Sequence, residues 1–201
     1  MRAILFAIAL AILAAGATFL LIEGRDPFLR IKKDIPIAVG IDQNTNTGNA
    51  NEVSPTTMTI SSPFFKHNGG LYINATCGGK GVNPPLEIGE TPKGAKSLAL
   101  IVSDPDAPGG TFYHWLVWNI DSQTRIIKEN SVPEGAIQGI NSDQRVTYVA
   151  ACPPSGTHQY IFSIYALDDV LDLPPSTAGV ELERAIESHV LDSAHIIGLY
   201  R

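Results

Sequence analysis

Four side chains in two stretches of this sequence have the types and placement to do chemistry together. SDPDAPGGTFYHWLVWNI (residues 103–120) supplies Asp104 and His114, and HQYIFSIYAL (residues 158–167) supplies His158 and Tyr160. A carboxylate, two imidazoles and a phenol suit an anionic tetrahedral group. Imidazole N–H and phenol O–H groups donate to its oxygens, and a carboxylate fixes a histidine tautomer or holds it cationic. Asp104, His114 and His158 also have the makings of a two-histidine, one-carboxylate metal site or an acid–base set for phosphoester chemistry. Each residue alone has a plainer role: an aspartate beside proline is an ordinary turn former, and a histidine on an apolar strand is commonly just buried. Asp106 is assigned to the turn. The site reading rests on three segments of the same form occurring together.

Strands must position these residues, and strand alternation decides which side chains share a face. In HQYIFSIYAL, His158, Tyr160, Phe162 and Ile164 point one way, so an imidazole and a phenol stand at the mouth of an otherwise apolar face. In YHWLVWNI, His114, Leu116, Trp118 and Ile120 are expected on one face, again with the imidazole outermost. Asp104 closes SLALIVSD, where the chain turns into Pro105. MTISSPFF, GLYINATC and RVTYVAAC are further runs rich in β-branched and aromatic residues. Gly, Pro, Asn and Asp clusters separate the runs, which predicts an all-β sandwich or barrel. Near the end, Leu182, Ala185, Ile186, His189 and Val190 lie at helical spacing, predicting one amphipathic helix capped by Ser176 or Thr177.

The chain has 201 residues and a net charge of −6, which argues against a nucleic-acid surface. Residues 3–22 carry no charge and have about the length that crosses a bilayer. They are read as a signal-anchor or signal peptide (residues 1–22), a hydrophobic helix at the start of the chain, followed by a polar tether (23–53) and one domain (54–201). Arg25, Arg30, Lys32 and Lys33 follow the span and only Arg2 precedes it, which favours a cytoplasmic domain. The small-residue triplet Ala15-Gly16-Ala17 and the cysteine pair favour export. The expectation adopted is a membrane-anchored or secreted protein with an extracytoplasmic, periplasmic domain.

SLALIVSDPDAP followed by HWLVWNI, then CPPSGTHQYIFSIYALD, resembles the phosphatidylethanolamine-binding protein family, which includes the Raf-kinase-inhibitor-like proteins of bacteria. CGGKGVNPPLE, Gln138-Gly139-Ile140-Asn141 and the terminal IIGLYR fit the same pattern, so the resemblance covers roughly residues 58–201. It implies an all-β-dominated sandwich of two antiparallel sheets with a C-terminal α-helix and a small anion pocket at one end. The pocket residues it implies are Asp104, His114, His158 and Tyr160, with Phe112 and the Pro153-Pro154 turn as walls. Implied ligands are phospholipid headgroups and nucleotides, and related proteins inhibit kinases or proteases. Three departures stand out: Ala150-Ala151 where the family often has Gly-Pro, Gln159 where an arginine is common, and Ile88 where a tryptophan is usual. The first bears on the backbone of the pocket floor, since glycine allows dihedrals that alanine resists; the second removes a positive charge.

No activated-serine motif and no phosphate-cradling glycine loop is present. The expected function is therefore a non-catalytic binding or regulatory module without metal or cofactor, its partners an anionic small molecule or headgroup and a kinase or protease. The alternatives are a protease inhibitor acting through a surface loop, and an enzyme using Asp104, His114 and His158. In the family-like sandwich the segment ends carrying Cys77 and Cys152 are expected to approach each other and form a disulfide next to the Pro153-Pro154 turn.

Overall fold

Long apolar strands need neighbours on both edges and a layer on each face, and this chain supplies both. The computed structural model describes residues 57–201, so the apolar segment and the tether expected over residues 1–22 and 23–53 lie outside the described residues. The elements are β1 (Ile60–Ser61), β2 (Gly69–Gly70), β3 (Leu86–Ile88), β4 (Ser97–Asp104), β5 (Phe112–Asp121), β6 (Ile126–Ile127), β7 (Ile137–Gln138), β8 (His158–Leu167), α1 (Gly179–Ile186) and β9 (Val190–Tyr200). β1, β3 and β6 make a small antiparallel sheet. The large sheet runs β2-β9-β8-β4-β5-β7, antiparallel except for the short parallel edge β2.

Two apolar layers flank the large sheet. Between the sheets, Leu98, Leu100, Val102, Phe162 and Ile164 pack against Leu86, Ile88 and Ile127. On the outer face, Ala99, Ile101, Tyr165 and Leu167 pack under Leu182 and Ile186 of α1. β4 and β8 are thus covered on both faces and read as near-continuous apolar runs, as the burial physics of a central strand requires. Gly139 permits a close approach here: a Cβ on it would lie 2.6 Å from the Thr177 carbonyl and 2.9 Å from the Trp118 ring.

The fold class is the expected one, with corrections in detail. The helical pattern does not run on to His189 and Val190. The helix ends at Ile186, and β9 begins at Val190 because ten residues of β8 are available to pair with it. Nor does Ser176 or Thr177 cap the helix: Ala178 stands at the N-cap, its N–H held by Glu181, while the Thr177 hydroxyl donates to Pro174. GLYINATC contains a 3₁₀ turn (Ile73–Ala75) and no strand beyond Gly70, and RVTYVAAC is a loop whose one β-bridge joins Ala151 to Thr76. MTISSPFF shortens to Ile60–Ser61. These runs have strand composition but lack a long partner, and unpaired backbone cannot be held extended by propensity alone.

Candidate ligand site at the ends of three strands

Antiparallel order brings the end of β4 beside the starts of β5 and β8. Asp104 pairs with Phe112 across one edge, and on the other β8 enters with His158 and Tyr160. Asp104, His114, His158 and Tyr160 are all buried at this sheet end. His158 Nδ1 donates to Asp104 Oδ2 at 2.7 Å. The other oxygen, Asp104 Oδ1, accepts the Asp106 N–H at 2.8 Å, and Asp106 Oδ2 accepts the Gln159 N–H at 2.9 Å. Asp106 is therefore the turn residue expected, and also a clasp between the β4 turn and β8.

The face of β5 is not the one strict alternation predicts. One step along β4, from Val102 to Ser103, spans two on β5, from Trp115 to Tyr113. His114 is the extra residue of this β-bulge. A second irregularity between Val117 and Ile120 contains Asn119, at φ 55°. Trp115, Val117 and Ile120 consequently face the sandwich core, whereas Leu116 and Trp118 face the helix. The expected common face of His114, Leu116, Trp118 and Ile120 is thus corrected. The bulge lets His114 meet β8: its ring lies edge-on to Tyr160 at 5.2 Å and tilts against Phe112 at 4.7 Å.

His114 Nδ1 lies 2.9 Å from the Val149 carbonyl oxygen. A carbonyl only accepts, so this ring carries its proton on Nδ1. Val149 was not legible as a site residue, because a backbone carbonyl has no signature in side-chain identity. The loop that presents it is anchored by buried Asn141, which donates to Thr147 O and accepts from the Asp143 and Arg145 N–H groups. Ala150 and Ala151 avoid positive φ, so this floor does not need glycine. The Cys77–Cys152 disulfide is formed, with a Cα–Cα distance of 5.4 Å. Pro153 and Pro154 lie in the turn from Cys152 to His158, the first half-buried and the second exposed. Tyr200, opposite His158 on β9, is a further neighbour, brought there by strand pairing that its place at the chain end does not reveal.

Two buried polar atoms of this cluster, His114 Nε2 and the Tyr160 hydroxyl, have no hydrogen-bond partner among the described residues. Trp118 Nε1 is a third such atom, on the helix side of the sheet. A hollow of about 250 Å³ elsewhere, lined by Asn83, Trp115, Gln138 and Tyr148 among others, is different. There Trp115 Nε1 donates to Gln138, Tyr148 to the Ala75 carbonyl and Asn83 to the Lys128 carbonyl, so those polar groups are spent internally. Among the described residues no three His, Cys, Asp or Glu side chains converge as a metal-ligand set.

The histidines are pushed apart. The hydrogen bond to Asp104 raises the pKa of His158, whereas burial lowers that of His114. Burial, then the charge of Asp104, pushes the Tyr160 phenol up, so it remains an O–H donor. His158 holds its proton more tightly folded than unfolded. Its contribution to stability is complete below the ordinary value of 6.5 and is lost as pH rises through its folded value. His114 does the reverse, costing stability as pH falls below 6.5 toward its folded value. The stability contributed by this pair should therefore be greatest near pH 6.5. Urea unfolding between about pH 5 and pH 8.5 measures it; a pH profile identical in wild type, His158→Ala and His114→Ala would contradict it.

The family described as phosphatidylethanolamine-binding protein matches residues 61–201. A UPF0098 protein of Methanothermobacter thermautotrophicus is 42% identical over 149 residues, covering 72% of this chain and 99% of that protein. A putative lipoprotein, LppC, of Mycobacterium tuberculosis is 35% identical over 83% of this chain and 81% of its own. Among solved structures, a putative phosphatidylethanolamine-binding protein homologue from Chlamydia trachomatis superposes with TM-score 0.69 at 33% identity, covering 72% of this chain and 97% of that one. E. coli YbcL, described as a new member of the mammalian family, gives TM-score 0.68 at 27% identity, covering 72% and 98%. These relatives consist of little but this domain, and Asn51–Arg201 forms one compact unit of this chain.

Proposed function

The chain belongs to the phosphatidylethanolamine-binding protein family, and from that premise we propose that its domain is a non-catalytic binding module for small phosphate-bearing groups. Family membership supports a binding module. The observation that carries the ligand class is the pair of buried, unpartnered atoms, His114 Nε2 and the Tyr160 hydroxyl, beside the His158–Asp104 pair. Burying such groups without partners costs free energy that a ligand's oxygens can return. The residues assigned to the ligand are Asp104, Phe112, His114, Pro153, Pro154, His158 and Tyr160. Inhibition of a kinase or a protease is the downstream effect assigned to the module. The disulfide fits an extracytoplasmic compartment, and the proposal puts the domain there, attached through the apolar N-terminal segment or released from it.

Tyr160→Phe separates ligand binding from folding. It removes a buried hydroxyl that has no protein partner, so the melting temperature should hold or rise. Phosphate binding should weaken by about 1 kcal/mol, roughly fivefold. Calorimetric melting and NMR titration of residues 51–201 with inorganic phosphate and phosphoethanolamine provide the measurement. Loss of stability without loss of binding would show that the hydroxyl serves the fold instead.

A further inference from the structure

The unpartnered nitrogen of His114 is a hydrogen-bond acceptor, and that restricts which phosphate the site takes. Nδ1 donates to the Val149 carbonyl at 2.9 Å, so in the neutral ring Nε2 presents a lone pair. It is buried and has no partner among the described residues. The Tyr160 hydroxyl, equally buried and unpartnered, belongs to the ring stacked edge-on at 5.2 Å. One acceptor and one donor thus sit on neighbouring rings. A fully ionised oxyanion satisfies the donor and is repelled by the lone pair.

Either the ring or the ligand must supply the missing proton. Burial opposes a second proton on His114 more strongly than the charges of Asp104 and Asp143 favour it. The surrounding charges also count against a dianion. Asp104 and Asp106 act on Tyr160 from the β4 end, with Tyr200 from β9, and Asp143 acts on His114 from the loop after β7. The imidazole of His158 is already matched by Asp104 at 2.7 Å. Gln159 adds no charge where an arginine would. A second negative charge on the ligand would meet acids in a shielded place, where like charges repel most.

We propose that the site selects a singly protonated, monoanionic phosphate or phosphomonoester, whose own P–OH donates to His114 Nε2 while another oxygen accepts from the Tyr160 hydroxyl. This rests on the phosphate reading above and narrows it. Sulfate has the same shape but no proton to give near neutral pH. A phosphodiester, the linkage of an intact phospholipid headgroup, has no P–OH either. The site therefore prefers a terminal phosphate, free or as a monoester, over a headgroup still joined to its lipid.

The test is NMR titration of residues 51–201 at pH 6 and constant ionic strength with inorganic phosphate, phosphoethanolamine, sulfate and dimethyl phosphate. The first two should bind about tenfold or more tightly than the last two, the discrimination expected when a buried acceptor is left unpaired by the wrong ligand. Histidine ¹⁵N shifts in the phosphate complex should show His114 neutral with its proton on Nδ1. Sulfate or dimethyl phosphate binding as well as phosphate overturns the inference, as does an imidazolium signal from His114 in the complex. If none of the four anions moves the signals of His114, His158 or Tyr160, the phosphate reading itself falls and takes this inference with it.

Discussion

Reduction of the Cys77–Cys152 bond is expected to lower the melting temperature of the domain by roughly 10 °C. The bond joins residues 75 apart, and chain-entropy arithmetic for such a loop gives about 4 kcal/mol. For a domain of this size each kcal/mol is worth about 2–4 °C. The native geometry should survive reduction, because backbone bonds stitch the same two segments. Cys77 N–H donates to Ala151 at 2.9 Å, Ala151 N–H donates to Ala75 at 3.1 Å, and the Tyr148 hydroxyl reaches the Ala75 carbonyl. The bridged segment lies between Val149, which orients His114, and the turn that enters β8 at His158. Reduction should therefore weaken phosphate binding more than it disturbs α1, which is held on the opposite face by Leu182 and Ile186. Calorimetry with and without reductant, and of a Cys77→Ala/Cys152→Ala double variant, measures the effect. An unmoved melting temperature, or two alkylatable thiols in protein from its native compartment, would remove both the bridge and the main support for export.

Asp104→Ala should cost about 3–5 kcal/mol, the range for removing one partner of a buried ion pair. Both side chains of the Asp104–His158 pair are nearly inaccessible, at 5% and 8% exposure. Without the carboxylate, His158 Nδ1–H and the Asp106 N–H both lose their acceptor. The β4 turn loses its internal bond, and the clasp from Asp106 to Gln159 loses its support. Asp104→Asn keeps an acceptor of the same shape without the charge. It should recover most of the stability while His158 falls back toward its ordinary pKa, since the bond to Asp104 is the largest cause of its elevation. Urea unfolding and NMR pH titration read the two effects separately. A loss below about 1 kcal/mol in the alanine variant, or an unmoved His158 titration in the asparagine variant, would mean that the pair is incidental.

Much of this architecture was legible as local pattern. SLALIVSD and HQYIFSIYAL carry their boundaries in plain view, because turn residues stop them and because a strand covered on both faces must be apolar almost throughout. The short runs were harder. GLYINATC and RVTYVAAC have the composition of strands, yet β-propensity expresses fit to a paired, half-buried surface and does not create one. The C-terminal segment erred the other way: Leu182, Ala185 and Ile186 do mark a helix, but the stretch after it extends because β8 offers an open edge.

The sequence alone put forward the candidate site: Asp104, His114, His158 and Tyr160 stand at the ends of apolar runs, and the resemblance to the family implies them as pocket residues. It also marked the central strands, and the resemblance implied that Cys77 and Cys152 approach each other. Tertiary structure decided how those residues are used. The bulge at His114 turns the imidazole toward Tyr160 against the alternation of its own strand, and the Val149 carbonyl, 35 residues away, chooses its tautomer. Side-chain identity and spacing are properties of a segment and can be read along the chain. Register shifts and carbonyl directions are properties of pairs of segments, set by how neighbouring strands close against each other. They therefore exist only once the chain has folded.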